Sequence, residues 1–156
     1  MFSNEESSYY RHQAVMEMPI YKKGKEILSV VQQITDLIPD TDENLGYIRA
    51  IILEDAMLLN AKLISAEGGD LYDIRMENAA IIRKAANNLK IQYHNLEMFD
   101  FEHVDYYQMV RELIEEYRIL FIEWVNSFDK SNYVVDRWGL FNPPGVSPFD
   151  QHNELY

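Results

Sequence analysis

Apolar side chains recur along this chain at spacings of three, four and seven residues, the period of a helix with one buried face. Four segments carry the pattern. The first runs from about Pro19 to Ile38, with Ile20, Ile27, Val31, Ile34 and Ile38 on one stripe. Proline fits its first turn, where the missing N–H has no acceptor to lose. Pro39 stops it, and the turn Asp40-Thr41-Asp42 is placed to cap the next helix. The second runs from about Glu43 to Glu67 on Leu45, Ile48, Ile52, Ala56, Leu59, Leu63 and Ala66, and Gly68-Gly69 ends it.

Asp70 is the expected N-cap of a third helix, from about Leu71 to Met98. Its stripe is Leu71, Ile74, Asn78, Ile81, Ala85, Leu89, Gln92, Leu96 and Phe99. Asn78 and Gln92 are polar, so each is expected to set register or to reach an amide across the seam. The fourth helix runs from about Val104 to Phe128 on Tyr106, Val110, Leu113, Tyr117, Leu120, Trp124 and Phe128, with Asp100 as its cap. Long helices joined by short turns predict an all-α fold, an antiparallel up-down-up-down four-helix bundle.

The periodic region, 19–128, is flanked by segments of a different kind. Residues 1–18 carry no apolar stripe and are expected to be mobile at least as far as Ser8. Residues 129–156 form an irregular extension holding Tyr133, Trp138, Phe141, Phe149 and Tyr156 with Pro143, Pro144 and Pro148. Aromatics at that density do not suit a disordered tail. The stretch around Val134 to Phe141 is expected to pack on the bundle or on a neighbouring subunit. Tyr133, Trp138, Phe141 and Phe149 are therefore interface candidates.

Composition narrows the function. The chain has 156 residues, 47% of them hydrophobic, enough for one core. No apolar run approaches the roughly 20 residues of a membrane span. Met1 to Tyr10 is polar and acidic, without the features of a secretory signal, and a cytoplasmic location is the default expectation. The absence of cysteine removes disulfides, thiolate metal sites and a cysteine nucleophile. The net charge of −12 repels phosphate backbones and disfavours nucleic acid as a partner. Residues 100–128 hold Arg111 and Arg118 against Asp100, Glu102, Asp105, Glu112, Glu115, Glu116 and Glu123, a net of −5. That face is either simply solvated or a docking surface for a basic partner.

Candidate chemistry is sparse. A ferritin-like di-metal bundle needs Glu-x-x-His pairs, so that residues one turn apart reach one metal. The residues three before His12, His94, His103 and His152 are Tyr9, Ile91, Asp100 and Phe149, so the motif is missing. Asp100 and His103 could hold a surface metal, but both suit the start of a helix. Ser29, Ser65, Ser127, Ser131 and Ser147 lie in no nucleophile motif, and no phosphate-binding glycine loop occurs. Gly68-Gly69 precedes a helix, but Asp70 and Asp73 would repel an anion there. Met16, Met18, Met57, Met76, Met98 and Met109 are expected as core fillers rather than as an adaptable binding surface. No catalytic residue, metal ligand or cofactor is assigned, and an enzyme is not expected.

The stretch Pro19-Ile20-Tyr21-Lys22-Lys23-Gly24-Lys25-Glu26-Ile27 resembles the opening helix of the 23S rRNA intervening-sequence four-helix-bundle proteins. The accessory proteins of diversity-generating retroelements are relatives within that family. Ala66-Glu67-Gly68 resembles the end of the family's second helix, and Arg83-Lys84-Ala85-Ala86-Asn87-Asn88-Leu89 with Asn95-Leu96 resembles its third. The resemblance spans about Pro19 to Phe128. It departs at Asn60-Ala61-Lys62-Leu63-Ile64-Ser65, where the family has Ser-Ile-x-x-Asn-Ile, and at Asn87-Asn88, where it has a small pair. The resemblance implies a ring-like homo-oligomer, commonly a pentamer, without enzymatic activity. The retroelement members are basic and bind nucleic acid and a reverse transcriptase. Here only Lys22, Lys23, Lys25, Arg75, Arg83, Lys84 and Lys90 could form a basic strip for that role. The expectation is a non-enzymatic helical interaction protein that self-associates. The alternatives are a nucleic-acid or polymerase accessory protein and a metal-binding bundle.

Overall fold

The computed structural model describes residues 3–151; Met1, Phe2 and residues 152–156, which include His152 and Tyr156, lie outside that range. All regular structure in the described residues is helical, in five α-helices and one 3-10 turn, with no strand. Helix α1 spans Asn4–Met16, α2 Pro19–Thr35, α3 Glu43–Glu67, α4 Tyr72–Met98 and α5 Gln108–Asn126, with the 3-10 turn at Val104–Tyr107. None of these helices is long and apolar enough to cross a membrane.

Helix α1 stands where a mobile segment is expected. Its first turn is closed by a capping box: Glu6 N–H donates to Ser3 Oγ and Ser3 N–H to the Glu6 carboxylate. Only Val15 of this helix is buried, so no apolar stripe announces it. Helix α2 buries the predicted Ile20, Ile27, Val31 and Ile34, and Ile38 follows in the turn. It ends at Thr35, three residues early, because Arg49 of α3 donates to the Thr35 and Ile38 carbonyls at 3.2 and 2.5 Å. Asp42 caps α3 as predicted, accepting from Leu45 N–H at 3.0 Å, and the whole predicted stripe of α3 is buried.

Helix α4 departs from expectation in its first half. Tyr72, Ala79 and Ile82 are buried there, whereas Ile74 is exposed and Leu71, Asn78 and Ile81 are half-buried. A strict seven-residue count drifts around a straight helix, and Tyr72 is drawn inward by the Phe128 ring, which it meets edge-on at 6.5 Å. Asp70 does not cap this helix; Leu71 holds the position with no side-chain bond. The end of α4 corrects two further expectations. Asp100 lies at φ 57, and Phe101 N–H donates to Leu96 O while Asp100 N–H donates to Glu97 O. That is a Schellman closure with aspartate in the left-handed position, so Asp100 ends α4 instead of starting the next helix. Phe101 is buried, and Phe99 is exposed.

The segment after it opens as a 3-10 turn. Its tighter winding brings Tyr107 rather than Tyr106 onto the buried face, where the phenol donates to Leu89 O at 2.6 Å. Burial pushes the Tyr107 phenol far above its ordinary pKa. On α5, Val110, Tyr117 and Trp124 are buried as predicted, Phe128 is buried just beyond the helix, and Ile114 takes the place given to Leu113.

Helix α3 packs on α2 and α4, and α5 packs on α2 and α4. The backbones of α2 and α4 stay apart, as do those of α3 and α5, although Trp124 of α5 reaches Glu67 of α3 through its indole N–H at 2.7 Å. Helix α1 lies against α2 and α3, tied by Arg11 donating to Gly68 O at 2.7 Å.

Candidate functional site

After Phe128 the chain folds back onto the start of α4. Tyr72 N–H donates to Asn132 O at 2.8 Å, and Val134 N–H donates to Asp73 Oδ1 at 3.0 Å. Val134 and Val135 are buried, and Tyr133 is half-buried against the core. Beneath this segment, Trp124 and Phe128 meet edge-on at 4.8 Å, and the Arg75 guanidinium lies 4.3 Å from the Phe128 ring centre. Glu67 receives both Arg75 (2.5 Å) and Trp124 Nε1–H (2.7 Å), which closes the junction.

The next seven residues form a loop organised by one carboxylate. Asp136 accepts from the backbone N–H groups of Trp138 (2.9 Å), Leu140 (2.8 Å) and Phe141 (2.9 Å). Asn142 closes the loop from the other side, accepting from Asp136 N–H at 2.7 Å and donating to Asp136 O at 2.9 Å. Gly139 makes the reversal at φ 75, a conformation that disfavours a side chain. Donation by the Phe141 amide, then by Trp138 and Leu140, holds the Asp136 carboxyl below the usual aspartate pKa.

This loop and the turn after it hold apolar side chains in water. Trp138 is 91% exposed, Leu140 76% and Phe149 93%. Between the loop and α4 lies a groove of about 560 Å³ lined by Ile74, Glu77, Val134, Val135, Trp138 and Phe141, among others. Of the predicted interface residues, Trp138 and Phe149 are presented outward and Phe141 lines the groove. Tyr133 is turned inward, because the hydrogen bond from Val134 to Asp73 draws the strand-like segment against α4. The pattern of aromatics missed Leu140, and the helical stripe placed Ile74 in the core. Asp136 had no sequence signal beyond its charge.

Comparison with protein-family models, curated proteins and solved structures yields no match.

The basic residues do not assemble into a strip. Lys22, Lys23 and Lys25 lie on α2, and Arg75, Arg83, Lys84 and Lys90 on α4, two helices whose backbones do not approach each other closely. Lys23 sits 2.8 Å from both Glu116 and Glu26, and these bonds, Glu116 first, raise its pKa. Lys22 pairs with Glu17, Arg75 with Glu67 and Lys90 with Glu115. Lys25, Arg83 and Lys84 are exposed. The acidic outer face of α5 is partly neutralised by the same bonds, and Lys90 followed by Arg118 lowers the pKa of Glu115.

His103 stacks on Tyr106 with ring centres 5.7 Å apart, and its Nε2 faces Glu102 at 4.0 Å. Among the described residues, no group of three or more His, Asp or Glu side chains converges as metal ligands do. Met18 and Met76 pack on the core, but Met16, Met57, Met98 and Met109 are exposed, against the expectation of core filling. Gln92 is buried, and its oxygen accepts from Asn95 Nδ2 at 2.9 Å within the same helix rather than across the seam. Asn78 likewise turns to its own helix, donating to Ile74 O at 3.1 Å.

One buried carboxylate stands apart. Asp55 of α3 is buried, and its Oδ2 has no hydrogen-bond partner. Burial raises its pKa, opposed by a hydrogen bond from Asn88 and by Lys84, and reinforced by Glu54.

Proposed function

We propose that this chain is a non-enzymatic scaffold that associates with copies of itself through its C-terminal loop. The observation that carries the reading is Trp138, more than nine-tenths exposed on a loop that ordered hydrogen bonds hold in one shape, with Phe149, equally exposed, in the turn that follows. A large apolar side chain in water is an unspent source of binding energy, and a preorganised loop loses little entropy on docking. The groove between the loop and α4 offers a neighbouring copy's aromatic side chain a place to insert.

The frame in this reading is an up-down-up-down four-helix bundle of α2 to α5, with α1 as an added arm. The ring of backbone contacts α2–α3–α4–α5–α2, with no close backbone approach along either diagonal, supports it. Distant kinship with the intervening-sequence bundle proteins belongs to the same proposal. In the stretch Pro19–Ile27 that carries the resemblance, Gly24 has a physical task. A methyl group there would lie 2.4 Å from Asn60 Oδ1, so glycine permits α2 and α3 their close approach. A cytoplasmic setting is part of the proposal as well.

Sedimentation equilibrium over a micromolar concentration series tests the reading. The full chain should exceed the 18.4 kDa of one copy. Replacing Trp138→Ser and Phe149→Ser together should weaken association at least tenfold while leaving the far-ultraviolet spectrum unchanged. A wild-type chain of single-copy mass at every concentration would rule the proposal out.

A further inference from the structure

Helix α3 is the most apolar of the described helices, its apolar surface extending beyond the core stripe although Arg49, Asn60 and Lys62 interrupt it, and apolar surface of that kind is normally covered. Its inner stripe is used by the core. Its outer face is open. Between Tyr47 and Ser65 the exposed positions are Tyr47, Ala50, Glu54, Met57, Ala61 and Ser65. Tyr47 is 71% exposed and Met57 54%. Half-buried Ile51 and Leu58 flank this row on one side, and Leu53 and Ile64 on the other. Glu54 is the one charged residue in the row. The first five positions repeat at three, four, three and four, the spacing of a coiled-coil seam. The other outer faces carry more charge: α5 exposes Ile119 and Ile122 among Glu112, Glu116, Arg118 and Glu123, and α4 exposes Ile74 and Ile91 among Glu77, Arg83, Lys84 and Glu97.

We infer that this face pairs with the same face of a second copy, α3 against α3 in antiparallel orientation. It goes beyond the loop contact proposed above and does not need it, sharing with that reading only the claim that copies meet.

Charge selects the occupant. A chain of net charge −12 repels its own copies, and they can approach most readily where charge is scarce. A basic partner would be drawn to the carboxylates of α5 instead. Shape selects the orientation. A parallel pair would set Glu54 against Glu54, a buried like-charge contact. An antiparallel pair centred between Glu54 and Met57 sets Ala50 opposite Ala61, Tyr47 opposite Ile64 and Glu54 opposite Met57. Small residues then meet small ones and let the helices close, and each carboxylate faces a thioether. The row from Tyr47 to Ser65 is about 27 Å long at the helical rise. Two such strips bury on the order of 1,000 Å² in total, the lower bound of a specific interface.

The test uses the full chain carrying Trp138→Ser and Phe149→Ser, so that the loop contact is removed. By sedimentation, this chain should still reach twice the single-copy mass. Adding Ala61→Glu, at an exposed helical position, should weaken pairing at least a hundredfold, and adding Glu54→Leu instead should tighten it at least tenfold. Orientation is read separately, because the chain has no cysteine of its own. Ala50→Cys with Ala61→Cys should give a disulfide-linked dimer under mild oxidation, and either change alone should not. In the antiparallel register the two copies of position 50 are about 16 Å apart, beyond disulfide reach. A loop-disabled chain of single-copy mass overturns the α3 pairing and leaves the loop reading intact. A dimer indifferent to Ala61→Glu overturns it too, as does efficient cross-linking by Ala50→Cys alone. Association lost only through the α3 substitutions, with the loop changes silent, would instead support this pairing and reject the loop.

Discussion

Two carboxylates in this chain have opposite fates. Asp136 is rewarded by three backbone donors, and its pKa is lowered. A group of this sign contributes fully above the ordinary aspartate value, near 3.9, and loses its hold only as pH falls through the lower folded value. The loop should therefore stay closed in mild acid. Asp136→Ala should speed hydrogen exchange at the Trp138, Leu140 and Phe141 amides about tenfold or more, with the helices unaffected. Asp55 has the reverse sign, its pKa raised by burial. It opposes folding at neutral pH, and that opposition fades as acid protonates it. Asp55→Asn should raise stability at pH 7 by on the order of 1 kcal/mol, a gain that shrinks toward pH 4 in urea titrations. Neither role was legible in the sequence. An aspartate in a charge-rich chain looks the same whether it organises a loop, caps a turn or lies stranded in a core. Only the donors brought to it by the fold distinguish the cases.

At the level of elements, legibility followed the strictness of the stripe. The apolar positions of α2 and α3 are nearly all aliphatic and evenly spaced, and each was found buried where expected. Helix α4 mixes Asn, Gln and Ala into its seam, so several rotations fit almost equally, and the true one is set by Tyr72 meeting Phe128. Helix α1 was invisible because its cap, not its core face, defines it. The α2–α3 contact offers a direct energetic test. Gly24→Ala should gain up to about 1 kcal/mol of helix propensity. It also drives a methyl group into Asn60, which is held by its bond to Tyr21 O at 3.1 Å. Overpacking costs about 1–3 kcal/mol, so the net change should be destabilising. In an Asn60→Ala background the same substitution should become neutral or stabilising, and a double-mutant cycle by chemical denaturation reads the coupling.

Across the whole molecule, stability should depend on the shared core rather than on the surface. Ile52, fully buried on α3, should cost about 2–5 kcal/mol when cut to alanine, whereas Ile91, exposed on α4, should cost less than about 0.5 kcal/mol. The all-helical class was readable because it needs only period and turn length. The terminal loop was not, since nothing periodic precedes a structure built from hydrogen bonds to one side chain. The outer row of α3 also sets a rule of parity. A contact in which a surface meets its own twin is exhausted by two copies, so assemblies that use it everywhere hold even numbers of chains. A five-membered ring needs each copy to offer one surface and receive on another, which the loop and its groove can do and α3 cannot. Native mass spectrometry would separate these routes by counting. Five chains would exclude an α3 twin in every copy, and two or four would leave the loop and the α3 face to be separated by the substitutions above.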